Sequence, residues 1–209
     1  NMSLGGCGTS EYFCNEITNL IARTGMPVVA ASGNCQCNGA YSQSYCPVVV
    51  VPASCEGVIR VAASDFENER AYYSNHDSTV DITAPGGDDS VDKNADGNPD
   101  GVLSFSGDEA YDFWDGTSMA APHVAGTVAL LLEQEPELSP QQVTIKIQEN
   151  ADKYSVLLAT DFDTIFGYGK TDAFFIVDEG IIEIPSWIKN NASWWNQGLI
   201  DDDSFVTGI

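Results

Sequence analysis

Ser118 stands near the head of a run of mostly small residues, Gly116-Thr117-Ser118-Met119-Ala120-Ala121-Pro122-His123-Val124-Ala125-Gly126, and this segment holds the chemistry the chain can offer. A serine hydroxyl becomes a nucleophile only when a base takes its proton and hydrogen-bond donors hold the oxyanion that forms. At a helix N-terminus Ser118 has an unpaired backbone N–H and the positive end of the helix dipole beside it. Ala120, Ala121, Ala125 and Gly126 let other backbone approach closely, so the helix can lie buried at the centre of a domain. A Thr-Ser pair alone reads as an N-cap; it is the eleven-residue run as a whole that argues for a reactive serine. The second oxyanion donor should be a side-chain amide. Asn34 supplies one at the end of Val28-Val29-Ala30-Ala31-Ser32-Gly33, where Gly-Asn is also an ordinary turn.

The base is missing from the pattern. The chain has two histidines, His76 and His123. His123 follows Ser118 by five residues on the same helix, which puts it about 140° around and roughly 7.5 Å along, out of reach of the hydroxyl. His76, in Ser74-Asn75-His76-Asp77, reads as a solvated loop residue.

Asp92-Lys93-Asn94-Ala95-Asp96-Gly97-Asn98-Pro99-Asp100 places oxygen-bearing side chains at alternate positions around a turn glycine, the first half of a calcium loop. Leu103 stands where an EF-hand needs its bidentate Glu, so a shorter loop closed by Asp100 is the expectation. Asp92, Asn94, Asp96, Asn98 and Asp100 are the candidate calcium ligands.

The elements that position these groups follow from periodicity and caps. Thr9 or Ser10 caps a helix carrying Phe13, Ile17, Leu20 and Ile21 on one face, and Gly25 ends it. Short buried strands are expected at Pro27–Ala31, Val48–Val51, Val58–Ala62 and Val80–Thr83, with Asn1–Leu4 as the end of a further strand. Residues 86–101 read as an acidic loop, Ser118–Glu133 as a long helix, and Ser139 with Pro140 opens a helix running to about Asn150. A last short helix capped by Thr171 or Asp172 ends before Gly180. The alternation predicts an α/β domain built on a mostly parallel sheet flanked by helices.

Taken together, the serine run, the strand ending in Gly33-Asn34, Asn1-Met2-Ser3-Leu4-Gly5-Gly6 and the turn Ala84-Pro85-Gly86 resemble the catalytic domain of the subtilisin-like serine peptidases over residues 1–180. The resemblance implies a three-layer domain and a secreted endopeptidase acting on proteins or peptides through an acyl-enzyme. It assigns nucleophilic attack to Ser118 and the oxyanion hole to Asn34 with the Ser118 N–H. Ser3, Leu4 and Gly5 would pair with an extended substrate, and Ala31, Ser32 and Gly33 would form the opposite wall of the primary pocket. Calcium is implied for the acidic insertion before the serine, and Asp81 matches a carboxylate near a second, weaker cation site. In this family Asp and His precede Ser along the chain. The sequence opens at the strand after the usual His, so the expectation is a piece lacking the catalytic Asp and His. A non-catalytic, calcium-stabilised surface or adhesion domain of the same fold is the alternative.

Composition sets the surroundings. A net charge of −23, from 31 acidic and 8 basic side chains, repels nucleic acid and anionic lipid. No window nears the roughly 18 consecutive apolar residues of a membrane span. Cys7, Cys14, Cys35, Cys37, Cys46 and Cys55 cluster near the start, which favours three disulfides and an oxidising, extracellular compartment. Residues 181–209 form a separate Trp-rich tail, with Trp187, Ile188, Trp194 and Trp195 on one helical face, resembling a small helical module of archaeal extracellular proteins.

Overall fold

In the computed structural model, residues 1–8, 10–35, 49–107, 110–153 and 161–174 are described. The chain divides into a unit Asn1–Ala173 and a second unit Phe174–Ile209. The Trp-rich tail and the helix expected before Gly180 lie outside the described residues.

Helix α1 spans Glu11–Thr24. Ser10 caps it, its hydroxyl accepting from the Phe13 N–H at 3.3 Å, and Gly25 ends it in the left-handed conformation at φ 68°. Strands β1 (Val28–Ala31), β2 (Val58–Ser64) and β3 (Ile82–Pro85) form a parallel sheet in that order, with Val28 opposite Val58 and Val61 opposite Ile82. Ile17 of α1 joins Val28, Ala30, Val58 and Ala62 in one apolar cluster. The alternate strand residues Val29, Ile59 and Val61 are buried as well, so both faces of the sheet are covered, as a parallel sheet requires. Helix α2 (Thr117–Gln134) packs against all three strands through Ala120, Ala121 and Val124, each fully buried. Helix α3 (Pro140–Glu149) begins with a capping box between Ser139 and Gln142 and buries Val143 and Ile147. Three layers result, as the resemblance implies. Among the described residues no helix is long and apolar enough to cross a membrane.

Both edges of the sheet are extended by single contacts. Met2 pairs with Ala30 beside β1, its N–H donating to the Val29 carbonyl at 2.8 Å. Beside β3, Thr83 donates to the Gly169 carbonyl at 2.9 Å and accepts from the Thr171 N–H at 2.7 Å. A Cys14–Cys55 disulfide ties α1 to the segment before β2. Cys7 and Cys35 are also disulfide-bonded, whereas Cys37 and Cys46 lie outside the described residues.

The structure departs from expectation at three places. The described part of the run Val48–Val51 is not a strand: Val50 takes the Ser32 carbonyl at 3.1 Å, and Val51 makes only an isolated bridge to Gly6. The strand expected at Val80–Thr83 lies at Ile82–Pro85, although the Asp81 N–H just before it still donates to the Arg60 carbonyl of β2 at 3.0 Å. A hairpin, β4 (Val102–Gly107) with β5 (Ala110–Trp114), joins the acidic loop to the serine segment and was not foreseen. It is antiparallel, separate from the main sheet, and leaves Phe105, Tyr111 and Trp114 at least half exposed.

Candidate active site

Ser118 lies in the first turn of α2, but it does not cap the helix. The N-cap is Gly116, at φ 142°, with no side-chain cap. The first-turn donors divide their partners: Thr117 N–H bonds the Asn34 Oδ1 at 3.0 Å, and the Met119 and Ala120 N–H groups take the Gly116 carbonyl. Ser118 borders a cavity of about 150 Å³, lined among the described residues by Leu4, Gly5, Gly6, Cys7, Ala31, Gly33, Asn34, Val50, Thr117 and Ser118.

Asn34 reaches this cavity in a defined orientation. Its Oδ1 accepts from both the Thr117 N–H at 3.0 Å and the Thr117 hydroxyl at 2.6 Å. An amide oxygen held by two donors turns the NH₂ end the other way, toward the cleft. A methyl group placed on Gly116 would stand 3.2 Å from Asn34 Nδ2 and 3.5 Å from Ser118 N. The two nitrogens therefore border the same space, and only glycine leaves that space open.

The turn that carries Asn34 is built by residues the sequence reading treated as loop. Asn75, 2 % exposed, accepts from the Cys35 N–H at 2.7 Å, donates to the Ser32 carbonyl at 3.1 Å, and bonds the Gly33 carbonyl through its own N–H at 2.9 Å. Gly33 has φ 107°, and a side chain there would strike Asn75 Nδ2 at 2.5 Å. Tyr73 performs the matching task for the serine segment. Its buried hydroxyl donates to the Gly87 carbonyl at 2.8 Å and accepts from the Gly116 N–H at 2.9 Å. Burial pushes the Tyr73 phenol far above its ordinary value, so it remains a donor. Nothing in the spacing of Tyr72-Tyr73-Ser74-Asn75 signals either role.

Of the expected wall residues, Leu4, Gly5, Ala31 and Gly33 line the cavity. Ser3 lies beside Ser118: its hydroxyl donates to the Ser118 carbonyl at 2.8 Å, and the Ser118 hydroxyl contacts the Ser3 carbonyl at 3.5 Å. Ser32 is fully buried and turned inward, its hydroxyl donating to the Asn75 carbonyl at 3.0 Å. On the other side of Ser118 a second cavity, about 640 Å³, is bounded by Leu103, Phe105, Trp114, Met119, Pro122 and His123, with Val102, Ser104 and Ser106 beside them.

Neither histidine bonds the Ser118 hydroxyl. The His123 ring is tied through Nδ1 to the Met119 carbonyl of its own helix at 2.8 Å. His76 is half-buried rather than solvated, and burial, followed by the Arg70 charge, holds its pKa below the usual imidazole value.

The acidic loop turns its oxygens onto its own backbone. Asp92 accepts from the Asp96 N–H at 3.2 Å and the Gly97 N–H at 3.0 Å, and Asn94 Oδ1 shares the Asp96 N–H at 3.0 Å. Asp96 accepts from the Asn98 N–H at 2.8 Å, and that bond keeps its carboxyl below the usual range. Asp92, Asn94 and Asp96 thus hold the loop's own N–H groups, and their hard oxygens are of the type that suits calcium. Asp100 sits at the base instead, 8 % exposed, accepting from the Lys93 N–H at 2.6 Å. Two other carboxylate groups gather nearby. Asp65, Glu67 and Glu69 form one, and the Lys93 ammonium already bonds Asp65 at 2.8 Å and Glu67 at 2.7 Å. Asp88, Asp89 and Asp115 form the other; burial first, then the Asp89 and Asp88 charges, push the Asp115 carboxyl up to about 6. Asp81 is committed elsewhere, to the Arg60 N–H at 2.9 Å and the Gln148 amide at 3.0 Å, and burial raises its pKa.

A parallel sheet backed by a central helix, with a serine in that helix's first turn and a side-chain amide beside it, is an arrangement of the subtilisin kind. Residues 1–169 match the subtilase family, and the chain belongs to it. It is 37 % identical to an extracellular protease of Xanthomonas campestris pv. campestris, over 72 % of this chain and 24 % of that protein. It is 33 % identical to subtilisin DY of Bacillus licheniformis, over 81 % of this chain and 52 % of the relative. A solved protease from Pseudoalteromonas arctica superposes with a TM-score of 0.68 at 36 % identity, covering 86 % of this chain and 50 % of that one. The chain thus spans between about a quarter and about half of these relatives.

Proposed function

We propose that this chain is the nucleophile-bearing part of a serine endopeptidase, with the Asp and His of its triad outside these 209 residues. The observation that carries the reading is the convergence of Asn34 Nδ2 and Ser118 N on one space in front of Gly116. The Ser118 Oγ attacks the scissile carbonyl carbon and gives its proton to the imidazole. The carbonyl oxygen, now an anion, accepts from Asn34 and the Ser118 N–H. Collapse expels the amine, which takes the proton, and leaves an ester on Ser118. Water then attacks the ester, passes a proton to the imidazole, and releases the acid as Ser118 regains its hydrogen.

Substrate lies extended along Ser3, Leu4 and Gly5, with Ala31 and Gly33 opposite, while Ser32, expected in that wall, is buried behind it, and the 640 Å³ cavity leaves room for the departing half of the peptide. Asp92, Asn94 and Asp96, with Asn98 and Asp100 of the same loop, would hold calcium, which would stiffen the segment that leads into the hairpin. The setting is extracellular, in keeping with the disulfides and with the name of the Xanthomonas relative. The test is covalent labelling of the full-length gene product by a fluorophosphonate. Labelling that disappears in Ser118→Ala supports the reading; equal labelling of both proteins, or none of either, overturns it.

A further inference from the structure

The two glycines that face each other across the 150 Å³ cavity do not leave it deep, because Val50 stands between them. A Cβ on Gly5 would meet Val50 Cγ2 at 2.5 Å, and one on Gly33 would meet the same methyl at 2.9 Å and Val50 Cγ1 at 3.1 Å. The isopropyl group therefore packs directly on the backbone of both walls. Resting on the peptidase reading above, we propose that Val50 is the specificity-determining residue of the primary pocket, closing it so that cleavage follows small uncharged residues and large apolar, aromatic and charged ones are refused.

Three observations support this. The pocket cannot widen easily, since its walls are hydrogen-bonded backbone: Val50 donates to the Ser32 carbonyl at 3.1 Å, its own carbonyl accepts from Ser54 at 3.0 Å, and the Gly33 N–H bonds the Thr117 hydroxyl at 3.2 Å. Val50 itself is 5 % exposed, so it has little room to swing aside. The same 150 Å³ is bordered by Asn34, Thr117 and Ser118, so the scissile carbonyl and its backbone must share it with the side chain. No described lining residue carries a charge that would pair with an Asp, Glu, Lys or Arg side chain.

The experiment uses the full-length gene product and peptide p-nitroanilides that differ only in the residue before the scissile bond, Ala, Leu, Phe or Lys. Each methylene that a pocket rejects changes kcat/KM by about 10- to 200-fold. Wild type is expected to favour Ala over Phe by at least about tenfold, and Val50→Gly to raise the Phe-to-Ala ratio by at least about tenfold, with Val50→Ala between them. A general loss of stability lowers turnover on every substrate alike and leaves that ratio in place, and Val50→Ala carries the measurement where Val50→Gly does not fold. Ser118-dependent turnover with Phe accepted as well as Ala, or a ratio that both variants leave within about twofold, overturns the inference while the peptidase reading stands. Absence of Ser118-dependent turnover on every substrate overturns that reading and this one together.

Discussion

Replacing Tyr73 by Phe removes one oxygen and keeps the ring, which is 5 % exposed and packed edge-on against Tyr72 with centroids 5.0 Å apart. That oxygen joins the buried turn Gly86–Gly87 to Gly116, two places before Ser118. Without it the Gly87 carbonyl loses its donor inside the protein, a loss of about 1–3 kcal/mol. The Gly116 N–H fares better, because it keeps the Gly86 carbonyl at 3.0 Å, so its share is at the low end of about 0.5–1.5 kcal/mol. The expected total is about 2–3 kcal/mol, or a fall in Tm of about 4–12 °C for a chain of this size. Calorimetry of the two proteins at matched pH measures it, and kcat should fall more than KM rises, since what moves is the helix end that holds Ser118. A change below about 0.5 kcal/mol would show that water replaces the hydroxyl and would refute the reasoning.

Asn34→Ala removes one oxyanion donor; the loss of about 10²–10³ in kcat is the range known for a subtilisin and is carried over rather than worked from this geometry, and an unchanged kcat would exclude Asn34 from the oxyanion hole. Asp115, pushed up to about 6 from 3.8, holds its proton better folded than unfolded, so its ionisation destabilises the fold progressively as pH rises from about 4 through about 6. Asp115→Asn should therefore be more stable than wild type at about pH 8, with the gain vanishing below about pH 4; a gain independent of pH in thermal melts would contradict this. Calcium at about a hundred times its Kd should stabilise by about 2.7 kcal/mol, raising Tm by about 5–11 °C, and Asp96→Ala should abolish the rise; an equal rise in both proteins would place the ion elsewhere.

The parts of the fold that could be read from the sequence are those whose signals are local. Ser10 and Gly25 bound α1, Ser139-Pro140 with Gln142 opens α3, and the apolar runs of β1 and β2 fall where they were expected. The hairpin escaped notice because its large apolar residues point outward, giving no buried face to mark the alternation. Val50 was hidden for the opposite reason: Val49-Val50-Val51 looks like a strand, yet its backbone bonds across to Ser32 and Gly6 instead of joining the sheet. Ser118 and Asn34 were legible through their motifs. Asn75 and Tyr73 were not, since their partners are backbone groups 14 to 43 positions away, and no spacing rule announces such contacts.

Helix α2 is pressed against β1, β2 and β3 at once, with Ala120, Ala121 and Val124 sealed from solvent. A segment in that position has no private route of opening, so its amide hydrogens should exchange with deuterium only when the whole unit unfolds. Ser118 stands at the head of that segment, whereas the hairpin and the acidic loop carry mostly exposed side chains and should open at lower cost. Heat should loosen those margins first and leave the body of α2 in place until the unit itself is lost.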